Sequence, residues 1–411
     1  MQKRSLIRSA TAALSAGAVA AALAVTLAGP AQAASAWPAH VFAPYVDTGL
    51  SNTTLTTVAA DYGTKYFTLA FVNGSGCQWS LPNQSGWQSQ ISALQSEGGD
   101  VSISFGGYTA DTDATDLGAT CSSASAMATQ VESVVTTLGV THLDFDIESN
   151  ELTDSADYTL TAQALAQVRS WANSNGTSLS ISYTIPVLAS GFTSPGISVL
   201  DAAVANGFTP NVVNIMTMDY GTSGTEMGTA ADQALDASAS QLTSVFGVSS
   251  SAAYAMLGNT PMIGQNDSSG EIFTLADAST VESYAAQRGI AMLSFWSEGR
   301  DNGGCPGQTS ASSTCSGLTQ NSGAFTEAFQ AFTGGTSSTG SSSPTPTPTA
   351  TASSTPTSGS GGSCAAAWSN STAYSSGNEV SYNGENWTAN QWNYDEVPGG
   401  ASGAWNSDGA C

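Results

Sequence analysis

Eight largely apolar runs recur along the chain. They are 40–46 (HVFAPYV), 65–72 (KYFTLAFV), 100–107 (DVSISFGG), 142–148 (HLDFDIE), 179–186 (LSISYTIP), 212–220 (VVNIMTMDY), 253–259 (AYAMLGN) and 290–296 (IAMLSFW). Each has the length of a strand, and the stretches between them have helical period. In ADYTLTAQALAQVRSWANS, for example, Leu160, Leu165, Val168 and Trp171 recur at helical spacing. The interval between runs is roughly 35 residues, a reasonable length for a βα unit, and eight such units predict an α/β fold, the (β/α)8 TIM barrel. A doubly wound open sheet is the alternative. No glycine-rich phosphate fingerprint follows the first run, so nucleotide binding has no support.

The N-terminus reads as a secretion signal spanning residues 1–33. Lys3, Arg4 and Arg8 precede an Ala/Leu/Val run, and Ala31-Gln32-Ala33 has the pattern of a cleavage site. The remainder is expected to be secreted, extracellular and monomeric, with no later run long and apolar enough to span a membrane. Beyond residue 33 there are 4 basic and 31 acidic residues, a net charge of −27. That balance opposes binding to nucleic acid or to an anionic membrane, and suits a neutral or cationic substrate. Simple solubility explains it equally well.

Only two histidines occur, His40 and His142. This supply argues against a Ser-His-Asp triad or a histidine-built metal site. Six cysteines in an oxidising compartment predict disulfides. Proximity favours Cys305–Cys315 and Cys364–Cys411, which leaves Cys77–Cys121.

Composition changes abruptly after Phe332. Residues 334–363 are Gly, Ser, Thr and Pro with a few Ala. Such a segment cannot bury a core and reads as a solvated linker. It separates a large domain, 38–333, from a short tail, 364–411.

The fourth run carries three acids, Asp144, Asp146 and Glu148, at alternate positions. On a strand they share one face, while Leu143, Phe145 and Ile147 share the other and face the helices. Inside a barrel the acids point inward, and Glu148 comes last, at the C-terminal mouth where barrel active sites sit. Crowded, buried carboxyls do not all ionise, so at least one retains a proton and can act as a general acid. Binding of Mg²⁺ or Ca²⁺, or capping of the next helix, are the competing readings. Two acids on one strand lie on the same side of a bound sugar. They do not flank a glycosidic bond as ordinary paired carboxylates do, so a glycosidase built this way needs another nucleophile. Asp111, Asp113 and Asp116 hint at a calcium loop but lack its spacing and glycine, and read instead as a loop with helix-capping aspartates.

Asp144-Phe145-Asp146-Ile147-Glu148 resembles the core of the DxxDxDxE motif of family 18 glycoside hydrolases, the chitinases. Ser104-Phe105-Gly106-Gly107 is similar to the family's SxGG. Met216-Thr217-Met218-Asp219-Tyr220 resembles its sixth-strand motif, and Trp296 falls where the family carries an eighth-strand Trp. TPMIG at 260–264 looks like bacterial members. The resemblance covers about residues 38–333. Thr141 stands where the motif begins with an acid. In the sixth strand, one register puts Asp219 on the motif Asp and Met218 where Tyr is expected. The other puts Tyr220 in place and moves Asp219 off the motif, and it is the one adopted here.

The resemblance implies an endo-acting chitinase working by substrate-assisted, retaining hydrolysis, with no metal and no cofactor. Glu148 is implied as the acid on the glycosidic oxygen. Asp146 would hold the acetamido N–H of the sugar, Asp144 would tune Asp146 through a shared proton, and Tyr220 would meet the acetamido carbonyl. Trp296 would form the apolar floor; Asp219, Met218, Ser104, Gly106 and Gly107 complete the implied substrate site. An endo-β-N-acetylglucosaminidase acting on N-glycans and a non-catalytic chitin-binding lectin are the alternatives.

The tail holds Trp368, Tyr374, Tyr382, Trp387, Trp392, Tyr394 and Trp405. So small a piece cannot bury all these rings, and exposed rings stack on sugars. Its pattern resembles small chitin- and cellulose-binding modules of families 5 and 12, and Trp392, Tyr394 and Trp405 are the implied platform of a β-rich carbohydrate-binding domain. The competing reading makes Trp368, Trp387 and Trp405 mostly core.

Overall fold

The computed structural model describes residues 37–50, 53–333, 364–369, 373–374, 378–389, 393–394, 397–399 and 405–411. The expected signal peptide, the expected linker and Trp392 lie outside the described residues. The chain divides into two compact units, Met1–Ser341 and Ser342–Cys411.

Among the described residues, the main sheet of the large unit runs through nine parallel segments. They are β1 (Val41–Phe42), β2 (Tyr45–Asp47), β3 (Tyr66–Gly74), β4 (Asp100–Gly106), β5 (His142–Asp146), β6 (Ser180–Leu188), β7 (Val212–Met216), β8 (Leu257–Thr260) and β9 (Met292–Leu293). Their order is β1-β9-β8-β7-β6-β5-β4-β3-β2. The ends of this order belong to a single run of sequence, because β1 and β2 are the two halves of 41–47. They part at Ala43-Pro44, where proline has no N–H to give to a ladder. The N–H of Tyr45 donates to Phe295 O at 3.1 Å, while Thr68 N–H donates to Pro44 O at 3.0 Å. One segment thus holds both ends of a curled parallel sheet, consistent with a TIM-barrel-like fold.

Helices cover the outside. In Ser155–Ser174, the buried residues are Asp157, Thr161, Ala162, Ala164, Leu165, Val168 and Ala172. Leu160 and Trp171, expected on the apolar stripe, are only half-buried at its margin. Asp154 starts this helix by accepting from the N–H groups of Ala156 and Asp157, at 2.9 and 3.4 Å.

Several runs end earlier or start later than their apolar pattern suggests; three of them bear on the site or its surroundings. The run 253–259 splits, because Ser249 caps a helix Ser250–Ala255 and β8 begins only at Leu257. The run 212–220 leaves the sheet at Met216, and the acidic run leaves it at Asp146. The last two exits build the site described below.

The tail forms its own small antiparallel sheet from Glu379–Tyr382, Glu385–Ala389 and Trp405–Ala410. Tyr374, Val380, Ala389 and Trp405 make its core, with Trp368 and Trp387 packed against it. Trp405 is 7 % exposed and stacks edge-on to Tyr374, which corrects its assignment to a sugar platform. So few residues can form a core only around their largest rings. All three expected disulfides are present: Cys77–Cys121, Cys305–Cys315 and Cys364–Cys411.

The burial stripe on Ser155–Ser174 can be tested directly. Leu165→Ala is expected to cost about 2–5 kcal/mol, and Leu160→Ala clearly less, because only the first empties a packed interior. Denaturant unfolding of the two variants checks the order.

Candidate active site

A cleft of about 910 Å³ opens at the C-terminal ends of the strands, and Asp146, Glu148, Met218, Asp219 and Trp296 all line it. The carboxylate beneath it, Asp144, is 1 % exposed. Four hydroxyls surround it. Tyr45 and Ser104 donate to Oδ2 at 2.8 and 2.7 Å; Ser182 and Thr184 donate to Oδ1 at 2.6 and 2.8 Å. Ser104, Asp144 and Ser182 are register partners on β4, β5 and β6, so parallel pairing alone sets them side by side. Burial raises the Asp144 pKa and the four hydrogen bonds oppose the rise. Four hydroxyls thus satisfy both oxygens of Asp144.

Asp146 lies one layer higher, between Gly106 and Thr184 in register. Its Oδ1 is buried without a hydrogen-bond partner. Burial and then the charges of Glu148, Asp144, Asp111 and Glu151 push its pKa well above the ordinary range. Beyond Asp146 the chain turns. Ile147 N–H still reaches Thr184 O at 2.9 Å, but the Glu148 N–H turns to Asp111 Oδ2 at 2.7 Å. Glu148 therefore stands just past the strand end, half-buried at the cleft. Burial, and secondarily Asp219 and Asp267, raise its pKa to about 7. A carboxyl so placed can carry a proton at neutral pH and deliver it.

The Ser104–Gly107 stretch has a distinct reason at each position. Ser104 sits below the cleft and holds Asp144. Gly106 has φ +88°, and a Cβ there would stand 2.3 Å from Asp146 O. Gly107, φ +84°, donates its N–H to that same oxygen at 3.0 Å, and a Cβ on it would meet the Phe71 ring at 2.7 Å. Only glycine permits this approach at either position.

Trp296 forms the floor with two rings that the sequence reading passed over. Phe71 stacks on it at 5.8 Å and Tyr45 tilts against it at 6.0 Å. Tyr45 and Phe71 also line the cleft, as does the exposed Tyr108. The alternation in PYVD (44–47) could have flagged Tyr45, which shares its strand face with Asp47, another residue that lines the cleft.

The sixth-strand register is reversed. Met218 and Asp219 line the cleft, whereas Tyr220 does not. The Tyr220 ring packs against the hydrophobic core, and its buried hydroxyl has no hydrogen-bond partner. The cause is local. Asp219 adopts φ +53°, and buried Glu271 accepts the N–H groups of Tyr220 and Thr222, both at 2.9 Å. This clamp turns Tyr220 inward and leaves Asp219 at the cleft, where its Oδ1 accepts Ser268 N–H at 2.7 Å. Burial raises the Asp219 pKa.

A family model described as "Glycosyl hydrolases family 18" matches residues 41–396. The chain is 37% identical over 320 residues to a "Probable bifunctional chitinase/lysozyme" of Escherichia coli (strain K12), covering 72% of this chain and 35% of that protein. It is 36% identical over 282 residues to "Endochitinase 11" of Metarhizium anisopliae, covering 65% of this chain and 53% of that one. The chain thus spans about a third and about half of these relatives' lengths. Among solved structures, active domain 2 of a chitinase from Pyrococcus furiosus superposes with a TM-score of 0.66 at 31% identity. That alignment covers 73% of this chain and 97% of the other.

The hydroxyl cradle has a measurable consequence. Asp144→Asn presents an amide NH₂ to hydroxyls that now donate, and leaves donors facing donors in a buried site. The expected loss is about 1–3 kcal/mol, read by urea unfolding; unchanged stability would show that the hydroxyls simply rotate.

Proposed function

Since the chain belongs to the family 18 glycosyl hydrolases, we propose that it is a secreted chitinase cleaving β-1,4 links between N-acetylglucosamine units. The observation that carries this reading is Glu148, raised to about 7 and set at the cleft beside Asp146 and above a floor of Trp296. In this mechanism Glu148 protonates the glycosidic oxygen. Asp146, pressed from the same strand end, holds the acetamido group of the sugar. The acetamido oxygen attacks the anomeric carbon, and Glu148 then takes a proton from the incoming water, giving retention. Asp219, and not Tyr220, faces the sugar from the exit of β7, and as a carboxylate it accepts a hydrogen bond from the sugar; it does not donate to the acetamido carbonyl. Asp144 acts through Asp146, by holding the strand that presents it.

The tail is proposed as a tethered chitin-binding module, with Trp392 and Tyr394 as its platform and Trp405 as its core. Its density of aromatic residues supports this. The same density weighs against the alternative of an N-glycan endoglycosidase, and the presence of Glu148 weighs against a lectin.

Asp219 also supports a second reading. It reaches the cleft from a different strand than Glu148, as a carboxylate that activates water by inversion must. Anomer-resolved NMR of the first product from chitin oligosaccharides decides between them. The β-anomer is expected; an initial α-anomer would refute the substrate-assisted route.

Glu148→Gln is expected to abolish release of soluble oligosaccharide while adsorption to chitin persists; full activity in that variant would sink the assignment. Glu148 must be protonated to act as the acid, so kcat/KM is expected to fall as pH rises through about 7. In Asp219→Asn this limb should move to lower pH, because a neighbouring negative charge that favours the protonated form is gone.

A further inference from the structure

Behind the cleft wall lies a group of acids that the proposed hydrolysis does not use. Asp111, Asp116 and Glu151 bring carboxylate oxygens within 4.8 Å of one another. All three are buried, at 1 %, 4 % and 5 % exposure. They arrive from three separate turns of the chain: the helix Tyr108–Asp113, the cap of Leu117–Thr120 and the short helix Glu151–Thr153. Asp116 spends one oxygen on capping, accepting Ala119 N–H at 2.7 Å.

Two further observations point to a ligand. A cavity of about 10 Å³ touches Asp116 and Glu151 and is walled by Gly106, Gly118 and Thr161. This is space for one water-sized body. Two carboxylate oxygens that have no hydrogen-bond partner stand against its glycines. Asp111 Oδ1 lies 3.2 Å from the position of a Cβ on Gly106, and Asp157 Oδ1 lies 1.8 Å from that on Gly118. Among the described residues, ion pairs are confined to His142–Asp100 and Arg288–Asp236. No lysine or arginine therefore balances the group, and buried charge without a partner is costly.

We propose that Asp111, Asp116 and Glu151 bind one hard divalent cation, Ca²⁺ in preference to Mg²⁺. Carboxylate oxygens are the ligands such ions take, and Ca²⁺ accepts a looser, less regular set of them than Mg²⁺, which demands near-ideal octahedral geometry and keeps its waters. The ion has a positioning role. Asp111 holds it through one oxygen and holds the Glu148 N–H through the other, at 2.7 Å. Glu151 closes the turn that Glu148 opens, with Leu152 N–H donating to Glu148 O at 3.0 Å. The cation thus ties the turn after β4 to the turn that presents Glu148. Two of its ligands come from the aspartate loop that the sequence reading dismissed; Asp113, the third acid of that loop, is exposed.

The test uses the full chain, stripped with EDTA and dialysed. Calorimetric titration with CaCl₂ is expected to show one ion per chain, and the Tm to rise with Ca²⁺, with MgCl₂ at least tenfold weaker. No heat and no Tm response to either ion would overturn the site, and tighter binding of Mg²⁺ would overturn the preference. Glu151→Gln is expected to lose both responses; unchanged Ca²⁺ binding in that variant would put the ion elsewhere and also overturn the proposal. The wild-type titration stands even if the variant fails to fold. Because none of these measurements reads hydrolysis, they fail or succeed independently of the proposed activity.

Discussion

A single buried carboxylate organises the interior of the large unit. Asp144 is removed from water on a strand flanked by two others, with no cation beside it. It is tolerated because four hydroxyls, from β2, β4 and β6, all donate to it. A neutral cradle of this kind satisfies the charge without the desolvation of a second ion. It also couples strands that are distant in sequence. Tyr45 reaches Asp144 across 99 residues, and Asn214 extends the network by donating to both Tyr45 Oη and Thr184 Oγ1, at 3.3 and 3.0 Å. The rest of the site is stacked on this layer.

Above the cradle the protein stops satisfying its acids. Asp146 is pressed between Gly106 and Thr184 and keeps an oxygen without a partner. Glu148 leaves the sheet and gives its N–H to Asp111. Burial, more than any single neighbouring charge, lifts these groups, and crowding adds to it. The polarity of the barrel interior therefore changes along β5, from an acid held by hydrogen bonds at the level of Ser104 to acids able to hold protons at the mouth. Asp146 stands at the junction of two spaces, since it borders both the cleft and the small cavity behind it. The front space is wide enough for sugar rings, and the rear one for a single ion.

Much of this was legible in the residues. Alternation along LDFDI put the acids on one face and Leu143, Phe145 and Ile147 on the other, because a strand allows nothing else. Asp219 and Tyr220 were misjudged, because their orientation depends on Glu271, which comes from a distant loop and binds two backbone N–H groups that no local pattern reveals. The reading of the Asp111 loop as helix-capping holds for Asp116, which caps Leu117–Thr120; what its spacing could not reveal is that Glu151 meets Asp111 and Asp116 from beyond β5. Trp405 looked like a sugar platform by composition, but a small tail needs a large ring for its core.

The sequence alone determined the strand and helix alternation and the acidic face of β5, and proximity favoured the three disulfide pairs that the structure shows. These follow from period and proximity, which act over a few residues or within one element. Only the tertiary structure decided which hydroxyls surround Asp144, which acid of the sixth run faces the cleft, and which carboxylates meet behind Glu148. Those outcomes depend on backbone donors and side chains brought together across 30 to 169 residues, where each partner's position is set by packing of the whole sheet. No local preference encodes such meetings, so they appear only once the strands are in register.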